Sequence, residues 1–220
     1  MTRIIAGRFG GRRIAVPPSG TRPTSDRTRE GLFSTLGSLL QCSGGAYGSG
    51  GSGRPDGFEG IGVLDLYAGS GAVGIEAWSR GASRVVLVEA APRAVEVLRA
   101  NLASLRPVAG TATDADSAVA VIAAKVETAV REISAESAFD LVFADPPYAL
   151  PASELATVIE TVRDRGLLAS GAIIAVERAS RESWNWPEGI EALRERRYGD
   201  AQVWYGVWCG SGTVAPLGHR

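Results

Sequence analysis

The sequence is short of the residue types that build disulfide scaffolds, metal centres and histidine-based catalysis. Cysteine occurs twice in 220 residues, at Cys42 and Cys209. Two thiols so far apart make no disulfide framework and have no metal-ligand spacing. Histidine occurs once, as His219 beside the C-terminus, which argues against a histidine triad or a zinc site. No metal is expected. Lysine also occurs once, as Lys125, so positive charge is carried by arginine. No stretch reaches the roughly 18 consecutive apolar residues of a membrane span. Residues Met1 to Arg8 lack the apolar run and small-residue cleavage site of a secretory signal. A cytoplasmic protein with no membrane contact is expected.

What is present is ordinary for a folded α/β protein: 45% hydrophobic and 21% charged residues. The length suits one domain with a short appendage around a single core. A net charge of -1 conceals an asymmetry, because residues 1–29 hold seven arginines against Asp26, a net of +6. A basic arm on a slightly acidic body suits a phosphate contact attached to a catalytic domain. The plainer alternative is an arginine-rich solvated edge. The arm is taken as residues 1–22 and the body as 23–220.

Within the arm, residues 3–6 and 13–16 read as short strands around a turn at Gly10-Gly11. Thr24-Ser25-Asp26 supplies a helix N-cap, and Leu32, Phe33, Leu36, Leu39 and Leu40 follow on one helical stripe. Residues 43–57, rich in Gly and Ser, are expected to be a flexible loop. From Ile61 strands and helices alternate. Strands are expected at 63–66, 84–89, 119–124, 140–144 and 172–177, with helices at 74–79, 92–105, 126–133 and 153–165. Residues 107–118 read as a loop. Two last strands, 190–197 and 202–209, flank the turn Tyr198-Gly199-Asp200. The alternation predicts a mostly parallel, doubly wound sheet with an antiparallel edge.

Two loops carry the chemistry. Gly69-Ser70-Gly71-Ala72-Val73-Gly74 matches G-x-G-x-x-G between a strand and a helix, and Glu89 lies 20 residues beyond its first glycine. That spacing formally satisfies a dinucleotide fingerprint. Asp65, on the lip of the same loop, would oppose a pyrophosphate. It favours instead a cationic ligand such as S-adenosylmethionine, with its sulfonium and ammonium groups. Glu89 ends the next strand, where it can accept bonds from two ribose hydroxyls. The second loop, Asp145-Pro146-Pro147-Tyr148, follows an apolar strand and so lies at the carboxyl edge of the sheet. Two prolines make it rigid and leave carbonyls free to accept. Asp145 and the Pro146 carbonyl together suit an exocyclic amine, and Tyr148 suits stacking on a planar base. Accepting the amine's protons localises a lone pair otherwise lost to the ring, so that orientation and electrostatics drive its methylation.

These residues resemble the class I S-adenosylmethionine-dependent methyltransferases with an (Asp/Asn)-Pro-Pro-(Tyr/Phe) loop. Further residues narrow the resemblance: Arg3-Ile4-Ile5-Ala6-Gly7, Arg22-Pro23-Thr24, Asp26-Arg27, Arg29-Glu30-Gly31-Leu32-Phe33 and Arg197-Tyr198-Gly199-Asp200. Together they are similar to the bacterial 16S ribosomal RNA (guanine(966)-N(2))-methyltransferase family over nearly the whole chain. The resemblance implies a Rossmann-like seven-stranded sheet, S-adenosylmethionine as donor, and a guanine N2 in 16S rRNA as acceptor. It implies action on an assembled or nearly assembled small subunit, by a monomer, with adjacent ribosomal proteins as further contacts. Asp65, Tyr67, Ala68, Gly69, Ser70 and Gly71 would line the methionine end of the donor, and Glu89 would hold its ribose. Arg22 and Thr24 would help close that pocket, supported by Arg29 and Glu30. Asp145, Pro146, Pro147 and Tyr148 would hold the guanine, and Arg3, Arg8, Arg12 and Arg13 would meet phosphates. For the adenine edge, Ala124-Lys125-Val126 and Glu127-Thr128-Ala129 are equal candidates.

Three rivals use parts of the same signal. An amino-methyltransferase acting on adenine N6 or cytosine N4 would share the proline loop. A dehydrogenase would share only the glycine loop. A non-enzymatic RNA-binding module would explain the arm and leave both loops idle.

Overall fold

Residues 1–17, 26–42, 57–105, 119–136 and 138–210 are described by the computed structural model of the chain. The N-terminal arm begins with β1 (Thr2–Arg3), which pairs antiparallel with β2 (Arg13–Ile14). Both strands are shorter than expected, because a 3-10 turn over Gly7–Phe9 and a set of side chains intervene. The amides of Ile5 and Ala6 donate to the carboxylate of Glu76 at 2.6 and 3.0 Å rather than to a strand. Ser79 Oγ donates to the Ala6 carbonyl at 2.5 Å and accepts from the Phe9 amide at 3.0 Å. Phe9 packs on Trp78 with ring centroids 4.7 Å apart. At Gly7, φ is +78° and a Cβ would fall 1.9 Å from the Ser79 carbonyl oxygen, so only glycine lets the arm approach so closely.

Glu76 and Ser79 belong to α2 (Ala72–Ser79), the helix that follows the glycine loop. Before it come α1 (Asp26–Cys42) and β3 (Gly62–Leu66). After it the chain continues through β4 (Arg84–Glu89), α3 (Pro92–Leu105), β5 (Val119–Ala123), α4 (Val126–Glu132), β6 (Phe139–Ala144) and α5 (Ala152–Asp164). It closes with β7 (Leu168–Ala179), β8 (Ile190–Tyr198) and β9 (Ala201–Trp208). The seven strands β3 to β9 form one sheet in the order β5-β4-β3-β6-β7-β9-β8, with β5 through β7 mutually parallel. Helices α1, α2 and α3 and the arm pack on one face, and α4 and α5 on the other. Strands β3, β4 and β6 are buried on both faces over most of their length, which is why they read as mainly apolar runs.

The last two strands form the expected antiparallel edge. Strand β9 runs antiparallel to both neighbours and is inserted between β7 and β8, leaving β8 at the edge. The burial of the two strands explains the order. Val203 to Val207 are buried on β9, whereas seven consecutive residues of β8, Glu191 to Arg197, are exposed. A charged strand blunts an open edge against unwanted pairing.

Arg29, counted from the sequence as part of a basic surface, is fully buried. Its guanidinium donates to Thr2 Oγ1, the Arg3 carbonyl and Asp26 Oδ1, each at 2.6 Å, and approaches Glu76 at 4.0 Å. It is an internal cross-link between the arm and α1. Thr24, Ser25, most of the 43–57 loop, the 107–118 loop and His219 lie outside the described residues, apart from Gly57. No helix among the described residues is long and apolar enough to cross a membrane.

Because Glu76 accepts two arm amides and faces buried Arg29, Glu76→Ala should destabilise the protein by about 3 kcal/mol or more. Urea unfolding measures that loss. Hydrogen exchange at the Ile5 and Ala6 amides should accelerate far more than at β3 or β6.

Candidate active site

The chain turns from β3 into α2 within five residues, and this requires three left-handed backbone positions. Tyr67, Gly69 and Gly71 have φ of +62°, +55° and +79°. At Gly69 nothing lies within 4 Å of where a Cβ would stand, so the loop presents bare backbone on an open side. Gly74 does the opposite work. Its missing Cβ would fall 2.3 Å from Leu87 Cδ2, so α2 seats directly on the sheet and its Gly74 amide reaches Asp65 Oδ2 at 2.9 Å. Asn101 of α3 holds the loop from the side, donating to the carbonyls of Ser70 and Ala15, both at 2.9 Å. Its own Oδ1 accepts from the Ala15 amide at 2.8 Å. Asn101 therefore ties the arm to the glycine loop, a role that no motif in the sequence announces.

Strand register then collects the carboxyl groups. Val88, Leu66, Ala144 and Val176 stand in one row across β4, β3, β6 and β7, packed in the core beneath α4 and α5. One residue further along each strand come Glu89, Tyr67, Asp145 and Glu177. Side chains alternate along a strand, so this row turns to the face of α1, α2 and α3, the face that Asp65 also occupies. Tyr67, with its left-handed backbone, departs from the pattern and packs with the α4 and α5 core. Its hydroxyl is buried with no hydrogen-bond partner among the described residues, so it is the Tyr67 backbone that flanks the loop.

Each carboxyl in this group has a distinct setting. Glu89 accepts from the Gly69 amide at 2.8 Å and the Ala91 amide at 2.7 Å, which bends the second strand end toward the glycine loop. Burial pushes Asp65 up to about 7, against the pull of the Gly74 amide, and the charges of Asp145 and Glu89 add to the rise. Burial likewise pushes Asp145 up to about 6. Glu177, buried on β7, is pushed up to about 8 by burial and then by the Asp145 charge. Sequence reasoning missed Glu177, and only the β6–β7 register reveals it as a neighbour of Asp145.

In the second loop Pro146 is buried while Pro147 and Tyr148 are exposed. The Pro147 carbonyl accepts from the Leu150 amide at 2.9 Å, closing the turn. Tyr148 is 60% exposed, a large flat side chain three residues beyond Asp145. At the end of β5, Val126 and Ala129 are buried in the core, whereas Lys125 and Thr128 face solvent. Arg22 and Thr24 lie outside the described residues. Among the arm's arginines, Arg3 pairs with Asp26 at 3.2 Å and Arg12 donates to the Ser104 carbonyl. Arg8 stacks over Trp78 and Phe9 at 4.3 and 4.5 Å. Arg13 is exposed on β2.

The donor set suits the ligand inferred from sequence. Bare backbone at Gly69 admits a close ligand, and a desolvated group of carboxyls favours a cation and opposes a pyrophosphate. The sheet order, the glycine loop and the proline loop at the carboxyl edge together define a Rossmann-like methyltransferase.

The chain belongs to the family described as conserved hypothetical protein 95, which it matches over residues 2–207. It is 36% identical over 180 residues to the ribosomal RNA small subunit methyltransferase D of Escherichia coli, covering 80% of this chain and 73% of that one. The Haemophilus influenzae protein of the same name is 30% identical over 198 residues, covering 90% and 89%. Among solved structures, the E. coli candidate methyltransferase yhhF superposes with a TM-score of 0.71 at 28% identity, covering 94% of this chain and 97% of that one. The rRNA methyltransferase aviRa of Streptomyces viridochromogenes, at 20% identity and a TM-score of 0.53, shares the fold over 71% of this chain and 80% of its own.

The raised carboxyls make stability depend on pH. Asp65 and Glu177 hold protons more tightly folded than unfolded, so the native state binds more protons between the ordinary carboxylate values, 3.8 and 4.5, and about 7 and 8. Their stabilisation is complete below that window and is lost as pH rises through it. Urea midpoints should therefore fall from roughly pH 5 to pH 9, and Glu177→Gln should flatten the upper half of that decline.

Proposed function

We propose that this protein transfers a methyl group from S-adenosylmethionine to the exocyclic N2 amine of a guanine in 16S rRNA, on an assembled or nearly assembled small subunit. The observation that carries the reading is the convergence of Asp145 and its proline loop with the glycine loop and Glu89 at one strand edge. The names of the E. coli and H. influenzae relatives support an acceptor in small-subunit rRNA.

Bound there, the donor supplies a methyl group activated by its sulfonium. Ala68, Gly69, Ser70 and Gly71 and the Tyr67 backbone line its methionine end, with Asp65 beneath. Glu89 keeps lone pairs for the ribose hydroxyls beyond those spent on Gly69 and Ala91. Arg22 and Thr24 close the pocket in this reading. Asp145 and the Pro146 carbonyl accept the two amine protons and orient the nitrogen lone pair toward the methyl carbon. The C–N bond would form as the donor's S–CH3 bond breaks and its sulfur leaves as the neutral thioether S-adenosylhomocysteine, and the surplus amine proton would pass to Asp145, whose affinity for protons burial has raised. Pro147 keeps the loop rigid, and Tyr148 stacks on the presented base. Arg3, Arg8, Arg12 and Arg13 lie on the arm that meets RNA phosphates, with Arg3 and Arg12 also fastening the arm itself. The reading carries with it a monomer acting in the cytoplasm, without a metal, among adjacent ribosomal proteins. Methylation of adenine N6 or cytosine N4 would use the same loop, and the product nucleoside separates the two.

Asp145→Ala should abolish single-turnover methylation of purified small subunits while donor affinity, read by calorimetry, stays near wild type. Near-normal turnover would overturn the proposed mechanism. Asp145→Asn, which keeps one acceptor oxygen, should retain a measurable fraction of the rate.

Replacing Arg8 and Arg13 with alanine should flatten the salt dependence of subunit binding, by about 0.7–0.9 in log–log slope for each phosphate that is no longer neutralised. Filter binding across salt concentrations measures it. Deleting the whole arm is the poorer test, since Glu76 and Asn101 would lose their partners and disturb the glycine loop.

A further inference from the structure

Glu177 is unused by the chemistry set out above. It stands on β7 one residue beyond Val176, whose cross-strand partner on β6 is Ala144. Continuing that register by one residue sets Glu177 beside Asp145, on the same face of the sheet. Glu177 is 6% exposed, and its Oε2 is buried with no hydrogen-bond partner among the described residues. On the other flank its cross-strand partner is Val203, an apolar residue of β9. The nearby Tyr205 hydroxyl is engaged with that of Tyr198 at 3.3 Å. A buried carboxyl oxygen with no partner is costly, and such groups persist where a ligand completes them.

The chemistry of the acceptor says what that ligand group is. Guanine carries its N2 amine next to a ring N1–H, so two donors sit side by side on one edge. Adjacent strands lie about 4.8 Å apart, a spacing at which one carboxyl can take the amine proton while its neighbour takes the ring proton. Adenine and cytosine present a bare ring nitrogen beside their amines, whose lone pair is repelled by Glu177 in its carboxylate form, so the discrimination is strongest above about pH 8.

We infer that Glu177 is a second contact to the acceptor base, accepting the ring N1–H of guanine beside the amine held by Asp145, and so selects guanine. This inference rests on the function proposed above. Glu177 is a specificity-determining residue, and its carbonyl oxygen accepts whether or not the carboxyl is ionised.

The test uses small subunits reconstituted with 16S RNA carrying guanine or 2-aminopurine at the methylated position. The analogue keeps the 2-amine and has an unprotonated ring N1. In single turnover above about pH 8, where Glu177 is ionised, wild-type protein should prefer guanine by a factor on the order of 10 to 100. Glu177→Gln, whose amide can donate to a bare nitrogen, should shrink that preference by about tenfold while donor affinity stays unchanged. Should the glutamine variant fail to bind donor, Glu177→Asp provides the second arm, since the shorter carboxylate withdraws from N1 and should also shrink the ratio. An unchanged guanine-to-analogue ratio in the variant that folds overturns the assignment of Glu177 alone. If wild-type protein methylates neither base, the proposed function fails and this inference fails with it.

Discussion

Asp65, Glu89, Asp145 and Glu177 lie at the carboxyl ends of four adjacent parallel strands, all on the face that α1, α2 and α3 cover. Carboxyl groups so close together repel one another, and burial makes Asp65, Asp145 and Glu177 costly to ionise. The architecture meets that cost in three ways. Backbone amides of Gly69, Gly74 and Ala91 neutralise part of the charge. Protons are retained on Asp65 and Glu177 near neutral pH. In the proposed function the remainder is met by a cationic ligand and by the hydrogen-bond donors of a base.

A fifth carboxyl group, Glu76, performs a structural task of the opposite kind. It is fully buried, and it is satisfied: the Ile5 and Ala6 amides and Arg80 Nε at 2.8 Å all donate to it. Together with Arg29 and Asn101 it fastens the arm to α1, α2 and α3. The surface that the arm presents is thereby held at a fixed place relative to the glycine loop. In the proposed function, an RNA contact made by the arm would be converted into a position for the base at Tyr148 and Asp145, because phosphate contacts fix register without reading sequence.

Much of this was legible from residue order. The strand, glycine turn and helix at 63–79, the proline-led helix at 92–105 and the Asp-Pro-Pro-Tyr loop depend on local chemistry, and local chemistry is written in neighbouring residues. What escaped were features set by contacts distant in the chain. Whether Arg29 is surface charge or buried cross-link depends on Thr2 and Glu76, and Ser70 meets Asn101 only once α3 has docked. Strand order at 190–208 is a choice between two adjacent segments. The exposed run from Glu191 to Arg197 against the apolar Val203–Val207 run indicates that choice, provided burial is weighed before hairpin proximity. Glu177 was hidden for the same reason: 32 residues separate it from Asp145, and β-sheet register alone makes them neighbours.

The central claim is that this constellation methylates guanine N2 in small-subunit rRNA, and the direct measurement is made on cellular RNA. Nucleosides of 16S rRNA are mapped by mass spectrometry from a strain lacking the gene, and from the same strain with the gene restored. The account predicts one N2-methylguanosine that disappears on deletion and returns on restoration. An unchanged guanine methylation pattern, or the loss of a methylated adenine or cytosine instead, would contradict it.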